Sequence, residues 1–523
     1  MTDDPSVTAV NVRGETAGNG FSTAEGPLDL TDGSPEPALR NLVGDMPADE
    51  FRRFGRQVVD WIADYIEHPE RYPVHPGVKP GGLVDALPAS APEQGEPMDR
   101  ILADFERQIV PHVTHWNHPG FMGYFATSGA MPGVLAEALI AGLNNIGLLW
   151  KTSPALTELE QVTLRWLLEW LRLPASWFGM TLAGASVASL HAVIAAREAS
   201  REQARATGQP FELEKLTLYA SEQAHSSIEK AMLVLGLPRG NCRKIPVDDA
   251  FRMRPGLLED RIRADQAAGL RPFCIAGTVG TTSTTSVDPI TALADIAARH
   301  SLWLHVDAAY AGAAGILPEK RHYLDGCERA DTFLFNPHKW LFTPMDLTAF
   351  YCRRPEELRQ ALSLVPDYLR SQQDQRAVNF MEYALPLGRR FRSLKLWFVM
   401  RYFGREGLSA NLREHIRLAE GFARRVDEHP DFERLAPAPF SVVCFRYRPP
   451  AVDSEDLDAV NQRLIEAVND SGEFFLSSTV LDGRVALRVA IGNIHTREQH
   501  VNRLWELLLQ KSTEVAAADC KQN

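Results

Sequence analysis

The sequence has few cysteines, no excess of basic residues and no cluster of metal-binding side chains. Its six cysteines include no CxxC pair, so reduced thiols of a cytoplasmic protein are a better interpretation than a disulfide framework. Lysine and arginine total 55 against 67 aspartates and glutamates, which argues against a nucleic-acid or anionic-membrane surface. Histidines, cysteines and carboxylates nowhere show zinc-like spacing, and we therefore predict no metal site.

Targeting and membrane signals are also absent. The first residues carry no basic stretch and no apolar run, so we predict no signal peptide and a cytoplasmic location. Residues 131–150 form the one membrane-like segment, but Pro132, three glycines and the pair Asn144-Asn145 interrupt it. We interpret this segment as a helix buried in a large protein or at a subunit interface, with no part of the chain in a membrane.

The pattern along the chain divides it into five parts. Residues 1–46 are rich in small and acidic residues and are predicted to be a disordered tail. A helical segment at 47–130, expected to take part in dimerisation, precedes a large domain at 131–394, in which apolar strands alternate with helices. This alternation indicates an α/β fold with a mostly parallel sheet and helices on both faces. A small C-terminal α+β domain at 395–512 and a tail at 513–523 complete the prediction.

Four polar residues follow successive predicted strands of the large domain. They are His225, Thr278, Asp307 and Lys339. Ligands of open α/β sheets bind outside the carboxyl ends of the strands, so these side chains predict a shared site. A lysine is rarely placed next to a buried strand. The best chemical reason is an amine held out of water to form a Schiff base, as in a site for pyridoxal 5'-phosphate (PLP).

The neighbours of these residues fit such a site, although each has a simpler alternative. Asp307 could keep the pyridine nitrogen of PLP protonated, or it could cap a helix. Ala309 is small enough to let a ring lie flat against the backbone. Gly184-Ala185-Ser186 precedes a helix and could cradle a phosphate, with Ser186 as an ordinary N-cap as the alternative. His225 could stack on a ring, bind a carboxylate or have only a structural role.

The sequence resembles the group II PLP-dependent decarboxylases, specifically the aromatic-L-amino-acid decarboxylases. The resemblance covers about residues 50–510, and segment 386–395 narrows it to the aromatic branch. The matching segments are Glu50–Arg53, Arg71–Pro73, Val113–Trp116, Ser153–Glu160, Ser221–Ser227, His305–Gly312, Asn336–Trp340 and Pro386–Lys395. The resemblance implies a fold-type-I PLP-dependent transferase-like structure and a homodimer with shared active sites.

The resemblance also implies a role for individual residues. Lys339 would form the Schiff base, Asp307 would hold the pyridine nitrogen, and His225 would stack on the ring and contact the substrate carboxylate. Ala309 would pack on the opposite face of the ring. The remaining cofactor and substrate contacts would come from Ala185, Ser186 and Asn336 at the phosphate, Thr278 near the cofactor and His338 beside the substrate. An aromatic pocket, partly from the other subunit, would be lined by Trp116, Tyr124, Phe125, Thr127 and Ile146.

Four further positions bear on activity and specificity. Tyr368 matches the family's proton donor on a mobile loop; the alternative is a surface aromatic. Gly184 stands where the family usually has Ser or Thr, which weakens the expected phosphate contact. Leu148 replaces an aromatic found in many members, so the pocket is expected to be roomier. Gly388 matches the indole-accepting branch, which favours tryptophan-like substrates.

The resemblance implies an enzyme that converts an aromatic L-amino acid to its arylalkylamine and CO2. One alternative is an aromatic aldehyde synthase on the same scaffold, in which decarboxylation is coupled to oxidation. A second alternative is a catalytically silent protein that keeps the fold only for binding. The presence of Tyr368 and His225 favours simple decarboxylation.

Overall fold

The computed structural model describes residues 44–364, 377–450, 452–453 and 455–519. Its central element is a seven-stranded sheet in the order β1-β7-β6-β5-β4-β2-β3. The strands are β1 (Phe178–Leu182), β2 (Leu216–Ser221), β3 (Cys242–Ile245), β4 (Arg271–Thr278), β5 (Trp303–Asp307), β6 (Thr332–Phe335) and β7 (Thr348–Cys352).

The sheet is mostly parallel, as predicted. The neighbouring pairs among β6, β5, β4, β2 and β3 are all parallel. Strand β7 runs antiparallel to both of its neighbours, β1 and β6. Strands β2, β5, β6 and β7 are buried along their whole length, as expected of strands with helices packed on both faces of the sheet. The predicted α/β class is confirmed.

Fourteen α-helices lie in the described part of the chain. They are α1 (Ala48–Glu67), α2 (Gly82–Ala86), α3 (Met98–Asp104), α4 (Met131–Leu143), α5 (Pro154–Leu171), α6 (Ala185–Ala206), α7 (Ser227–Val234), α8 (Pro255–Ala267), α9 (Ile290–His300), α10 (Pro337–Trp340), α11 (Pro355–Leu362), α12 (Arg392–Glu428), α13 (Leu457–Asn469) and α14 (Glu498–Asp519).

Helix α4 corresponds to the apolar segment 131–150 but ends at Leu143. One face packs into the protein through Ala136 and Ile140, while Leu135 and Leu139 are about half exposed on the other face. Within one chain the helix is therefore buried on one face only, and burial of the other face at a subunit interface stays a prediction. In the described residues no helix is both long enough and apolar enough to span a bilayer.

The C-terminal part forms a separate antiparallel sheet in the order β10-β11-β9-β8. Its strands are β8 (Phe432–Arg434), β9 (Val442–Tyr447), β10 (Ser477–Leu481) and β11 (Arg484–Ala490). The predicted tail 513–523 is wrong as far as Asp519, because α14 continues to that residue. Val515 and Ala516 pack against the core of the small domain and explain the extra turns.

Helix α12 joins the two sheets and is broken at Gly404. Gly404 has φ 60° and ψ 177° within an otherwise helical segment. The helix packs against α4 and α5 on one side of the molecule and against β8 and β9 on the other. The small domain is therefore reached through a kinked helix rather than through a loop.

Two other predictions concern the cysteines and the N-terminal tail. The five cysteines in the described residues are buried and free, which confirms the prediction of reduced thiols. Of the predicted disordered tail, only residues 44–46 belong to the described chain, and α1 begins at Ala48.

Candidate active site

The polar residues predicted at strand ends lie together at one edge of the large sheet. Thr278 and Asp307 are paired residues of the parallel strands β4 and β5. The end of β6 lies beside them, because the backbone amide of Asn336, directly after β6, donates to the carbonyl of Ala309 at 3.0 Å. His225 follows β2 at the same edge, and its electrostatic neighbours are Asp307 and Lys339. The sheet therefore assembles the predicted cluster.

Lys339 lies on the one-turn helix α10, directly after β6. Part of its side chain is accessible, but protein atoms surround the amine, and this burial lowers its pKa to about 8. The negative charge of Asp307 opposes that shift, and the positive charge of Arg488 adds to it. Because a neutral amine is the nucleophilic form, the site favours Schiff-base chemistry near neutral pH.

A column of aromatic rings supports the lysine. The Lys339 Nζ lies 4.8 Å from the centre of the Phe125 ring. Phe125 stacks on Tyr310 with ring centres 4.0 Å apart, and Tyr310 stacks on Trp340 at 4.7 Å. The Trp340 indole N–H donates to His415 Nδ1 at 3.0 Å. The structure therefore places Phe125 under the amine and buries it, whereas the sequence predicted a wall of the substrate pocket.

Asp307 is buried and has one hydrogen bond in the described chain. Its Oδ1 accepts the Ala309 backbone amide at 3.0 Å. This bond closes an Asx-turn, so Asp307 also caps the backbone that follows it, as the alternative prediction of a helix cap proposed. No ion pair to Asp307 is found among the described residues, although a buried carboxylate requires compensation. A protonated pyridine nitrogen would supply that compensation, so the carboxylate fits the predicted cofactor.

The predicted phosphate cradle lies at the start of α6. Gly184 occupies the N-cap position without a side-chain cap, so Ser186 is not the N-cap and lies exposed in the first turn next to Ala185. An added Cβ at Gly184 would meet no atom within 4 Å. Open space in front of uncapped amide groups at a helix N-terminus suits a phosphate.

Asn336 and Thr278 are fixed by neighbouring side chains. The Asn336 Oδ1 accepts the Thr348 hydroxyl at 2.7 Å, and this bond leaves the amide nitrogen of Asn336 as a donor. The Thr278 backbone amide donates to Asp288 Oδ2 at 2.8 Å. Burial raises the pKa of Asp288 to about 6 against the effect of its two backbone donors.

The two predicted active-site histidines differ in exposure. His225 is solvent-accessible, and its Nδ1 accepts the Ser227 amide at 3.2 Å. Partial burial lowers its pKa, while Asp307 acts in the opposite direction. His338 is buried against the backbone of Leu347, and burial lowers its pKa to about 4. His338 is therefore neutral at physiological pH.

The predicted substrate-binding residues form two groups. Trp116 and Tyr124 stack with ring centres 5.9 Å apart and are both exposed. The second group consists of Ile146, Leu148 and Gly388. An added Cβ at Gly388 would lie 3.4 Å from Ile146 Cγ2. The Leu148 carbonyl accepts the Met381 amide. Among the described residues, no side-chain hydrogen bond, ion pair or ring contact joins either group to Lys339. Thr127 is half-buried near the first group in sequence, and Tyr368 lies outside the described residues.

Arg488 is a site residue that the sequence reasoning missed. It lies on β11, is buried, and has its guanidinium carbon 4.6 Å from the centre of the Phe125 ring. Its Nε donates to the Ser283 carbonyl at 3.0 Å, and its Nη1 donates to the Tyr124 carbonyl. The signal was present, because an arginine inside an apolar strand needs a specific partner.

Comparison with known proteins agrees with this geometry. A family model described as the pyridoxal-dependent decarboxylase conserved domain matches residues 80–448. A phenylacetaldehyde synthase of Arabidopsis thaliana is 41% identical over 478 residues, which are 90% of this chain and 97% of the relative. Tryptophan decarboxylase 2 of Oryza sativa subsp. japonica is 40% identical over 476 residues, 90% of this chain and 96% of the relative.

A solved structure extends the similarity to three dimensions. The crystal structure of Oryza sativa TDC with PLP and tryptamine matches with a TM-score of 0.87 at 38% sequence identity, covering 90% of this chain and 99% of that one. The lysine, the carboxylate and the open helix N-terminus described above fit the same cofactor. The chain therefore belongs to the pyridoxal-dependent decarboxylase family and is a PLP-dependent carboxy-lyase.

Proposed function

We propose that the enzyme decarboxylates an aromatic L-amino acid to the corresponding arylalkylamine and CO2. The observation that carries this proposal is the enclosed Lys339 amine, whose pKa is lowered to about 8, at the strand ends that also hold Asp307. The aromatic substrate class is supported by the relatives, of which one is named for tryptophan. The exposed aromatic pair Trp116 and Tyr124 supports the same class.

The residues around the cofactor have separable roles. Bound PLP supplies an electron sink for the bond to the carboxyl group. Asp307 would hold the proton on the pyridine nitrogen, and the first turn of α6 with Asn336 would bind the phosphate. Lys339 would exchange with the substrate amine, and His225 would contact the ring and the substrate carboxylate. Arg488 keeps positive charge beside Lys339 and so favours the neutral amine.

The first experiment tests whether the chain is an active PLP enzyme. The purified protein is expected to show a visible absorption band from the bound cofactor, and Lys339→Ala is expected to lose both the band and CO2 release. Arg446→Met, which removes a buried arginine of the small domain, serves as the control and should keep the band. A wild-type protein that binds no PLP would instead support the alternative of a catalytically silent binding protein.

The second experiment separates decarboxylation from aldehyde synthesis, because one relative is a phenylacetaldehyde synthase. A panel of Trp, 5-hydroxy-Trp, Dopa, Tyr and Phe should yield CO2 and amine in equal amounts without peroxide. The proposed proton donor Tyr368 predicts this outcome, and Tyr368→Phe should shift the products toward aldehyde and peroxide. Peroxide that matches CO2 in the wild-type enzyme would favour the aldehyde synthase.

We also propose that the enzyme is a homodimer. The exposed face of α4 carries Leu135, Leu139 and Leu143, each at least half exposed. Apolar side chains of α12 continue this surface next to Leu135. Contiguous apolar surface of this kind marks association sites. Light scattering should report a dimer for the wild type and a monomer for Leu139→Glu, whereas Leu233→Glu on α7 should leave the dimer intact.

A further inference from the structure

A buried ion pair lies between the cofactor side and the substrate side of the proposed site. The carboxylate of Glu160, on α5, meets the guanidinium of Arg389, and the two side chains are 0% and 1% exposed. The Arg389 guanidinium also lies 4.3 Å above the Phe380 ring. Two of its nitrogens, Nε and Nη1, have no hydrogen-bond partner in the described chain.

On the cofactor side, the pair holds Thr181 by three of its polar groups. Glu160 accepts the Thr181 amide at 2.7 Å and the Thr181 hydroxyl at 2.9 Å. Arg389 donates to the Thr181 carbonyl at 2.7 Å. Thr181 is the last but one residue of β1, and the chain continues within three residues to Gly184 and the start of α6. The pair therefore fixes the strand that leads into the phosphate cradle.

On the substrate side, the backbone of Arg389 holds the second group of pocket residues. Its carbonyl accepts the Gly147 amide at 2.8 Å. Gly388 precedes Arg389 and lies against Ile146. A Cβ at Gly147 would come within 2.6 Å of the Leu156 side chain, so this segment packs closely against α5. One arginine is thus bonded to both sides of the site.

Stability alone does not explain this arrangement. Two enclosed charges lose their hydration, and an apolar pair of similar volume is often equally stable or more stable. The two unpartnered nitrogens of Arg389 add to the cost of burial. We infer that Glu160 and Arg389 act as positioning residues. They hold the phosphate cradle at a fixed distance and orientation from the pocket wall, which is formed by residues 146–148 and 388. This inference rests on the proposed function for the identity of the pocket wall.

The test replaces the pair by apolar residues and measures cofactor affinity apart from activity. In Glu160→Leu/Arg389→Met we expect a lower thermal midpoint, because the buried amide and carbonyl of Thr181 lose their partners, and PLP affinity about tenfold weaker, a change of about 1.4 kcal/mol. The KM for aromatic substrates should rise by a similar factor, with a smaller change in kcat. Arg446→Met is the matched control and should alter neither value.

Unchanged PLP affinity and KM in a folded double variant would overturn the inference, because the pair would then only fill space. If the double variant does not fold, Thr181→Val provides the second test, since it keeps the ion pair and removes the hydroxyl bonded to Glu160. A two- to threefold loss of PLP affinity is expected, and no loss would again refute the inference. Failure of the proposed function would appear separately, as a wild-type protein that binds PLP without releasing amine.

Discussion

The protonation of Lys339 can be measured directly and changed by one substitution. With the pKa lowered from 10.5 to about 8, about a quarter of the amine is neutral at pH 7.5, compared with about one part in a thousand for an ordinary lysine. Acylating reagents attack only the neutral amine. The extent of labelling of Lys339 in the cofactor-free enzyme, followed by mass spectrometry from pH 6 to 11, should therefore have its midpoint near pH 8.

Phe125→Leu tests the contribution of the ring under the amine. The ring face at 4.8 Å stabilises the cation by about 0.5–1 kcal/mol. Leucine keeps the site apolar but lacks that interaction, so the labelling midpoint should fall by about 0.4–0.7 pH units. Phe445→Leu, in the small-domain core, should leave it unchanged, and the exposed Lys151 provides an internal reference. A wild-type midpoint near pH 10, or a rise in Phe125→Leu, would refute this electrostatic reasoning.

Three further predictions concern stability and specificity. The pKa of Asp288 is raised to about 6 in the folded state. Its contribution to stability is therefore present below about pH 4 and is lost as the pH rises to 6. Asp288→Asn should flatten the dependence of the unfolding free energy on pH in this range. Gly388→Ser should lower kcat/KM for tryptophan relative to tyrosine by about tenfold, because the new side chain lies against Ile146; equal ratios would contradict this. Gly280 has φ +87°, and an added Cβ would lie 2.5 Å from the Ala311 Cβ, so Gly280→Ala should cost more than about 1 kcal/mol in chemical denaturation.

The strand ends of the site could be predicted because local sequence defines them. A polar residue after a continuous apolar run, as at Asp307 and Lys339, indicates both the end of a strand and the edge of the sheet on which it lies. The direction of β7 could not be predicted in the same way. An antiparallel strand buried on both faces has the same apolar pattern as a parallel one.

Contacts between distant segments account for what the sequence reasoning missed. Arg488 reaches Phe125 from the other domain, and Glu160 meets Arg389 across 229 positions of the chain. No period or spacing relates such residues before the chain folds. The contact of Phe125 with Lys339 could not be predicted for a related reason, because an aromatic residue next to a pocket can face the substrate, the lysine or both.

The kink in α12 gives one residue a part in setting the orientation of the small domain. Gly404, with φ 60° and ψ 177°, occupies a backbone region that is essentially restricted to glycine. A side chain at this position would strain the kink, and any straightening of the helix would act on the strands that pack against it. Arg488 is part of β11. The position of its positive charge beside Lys339 therefore depends in part on the backbone torsion of a glycine that lies in neither sheet.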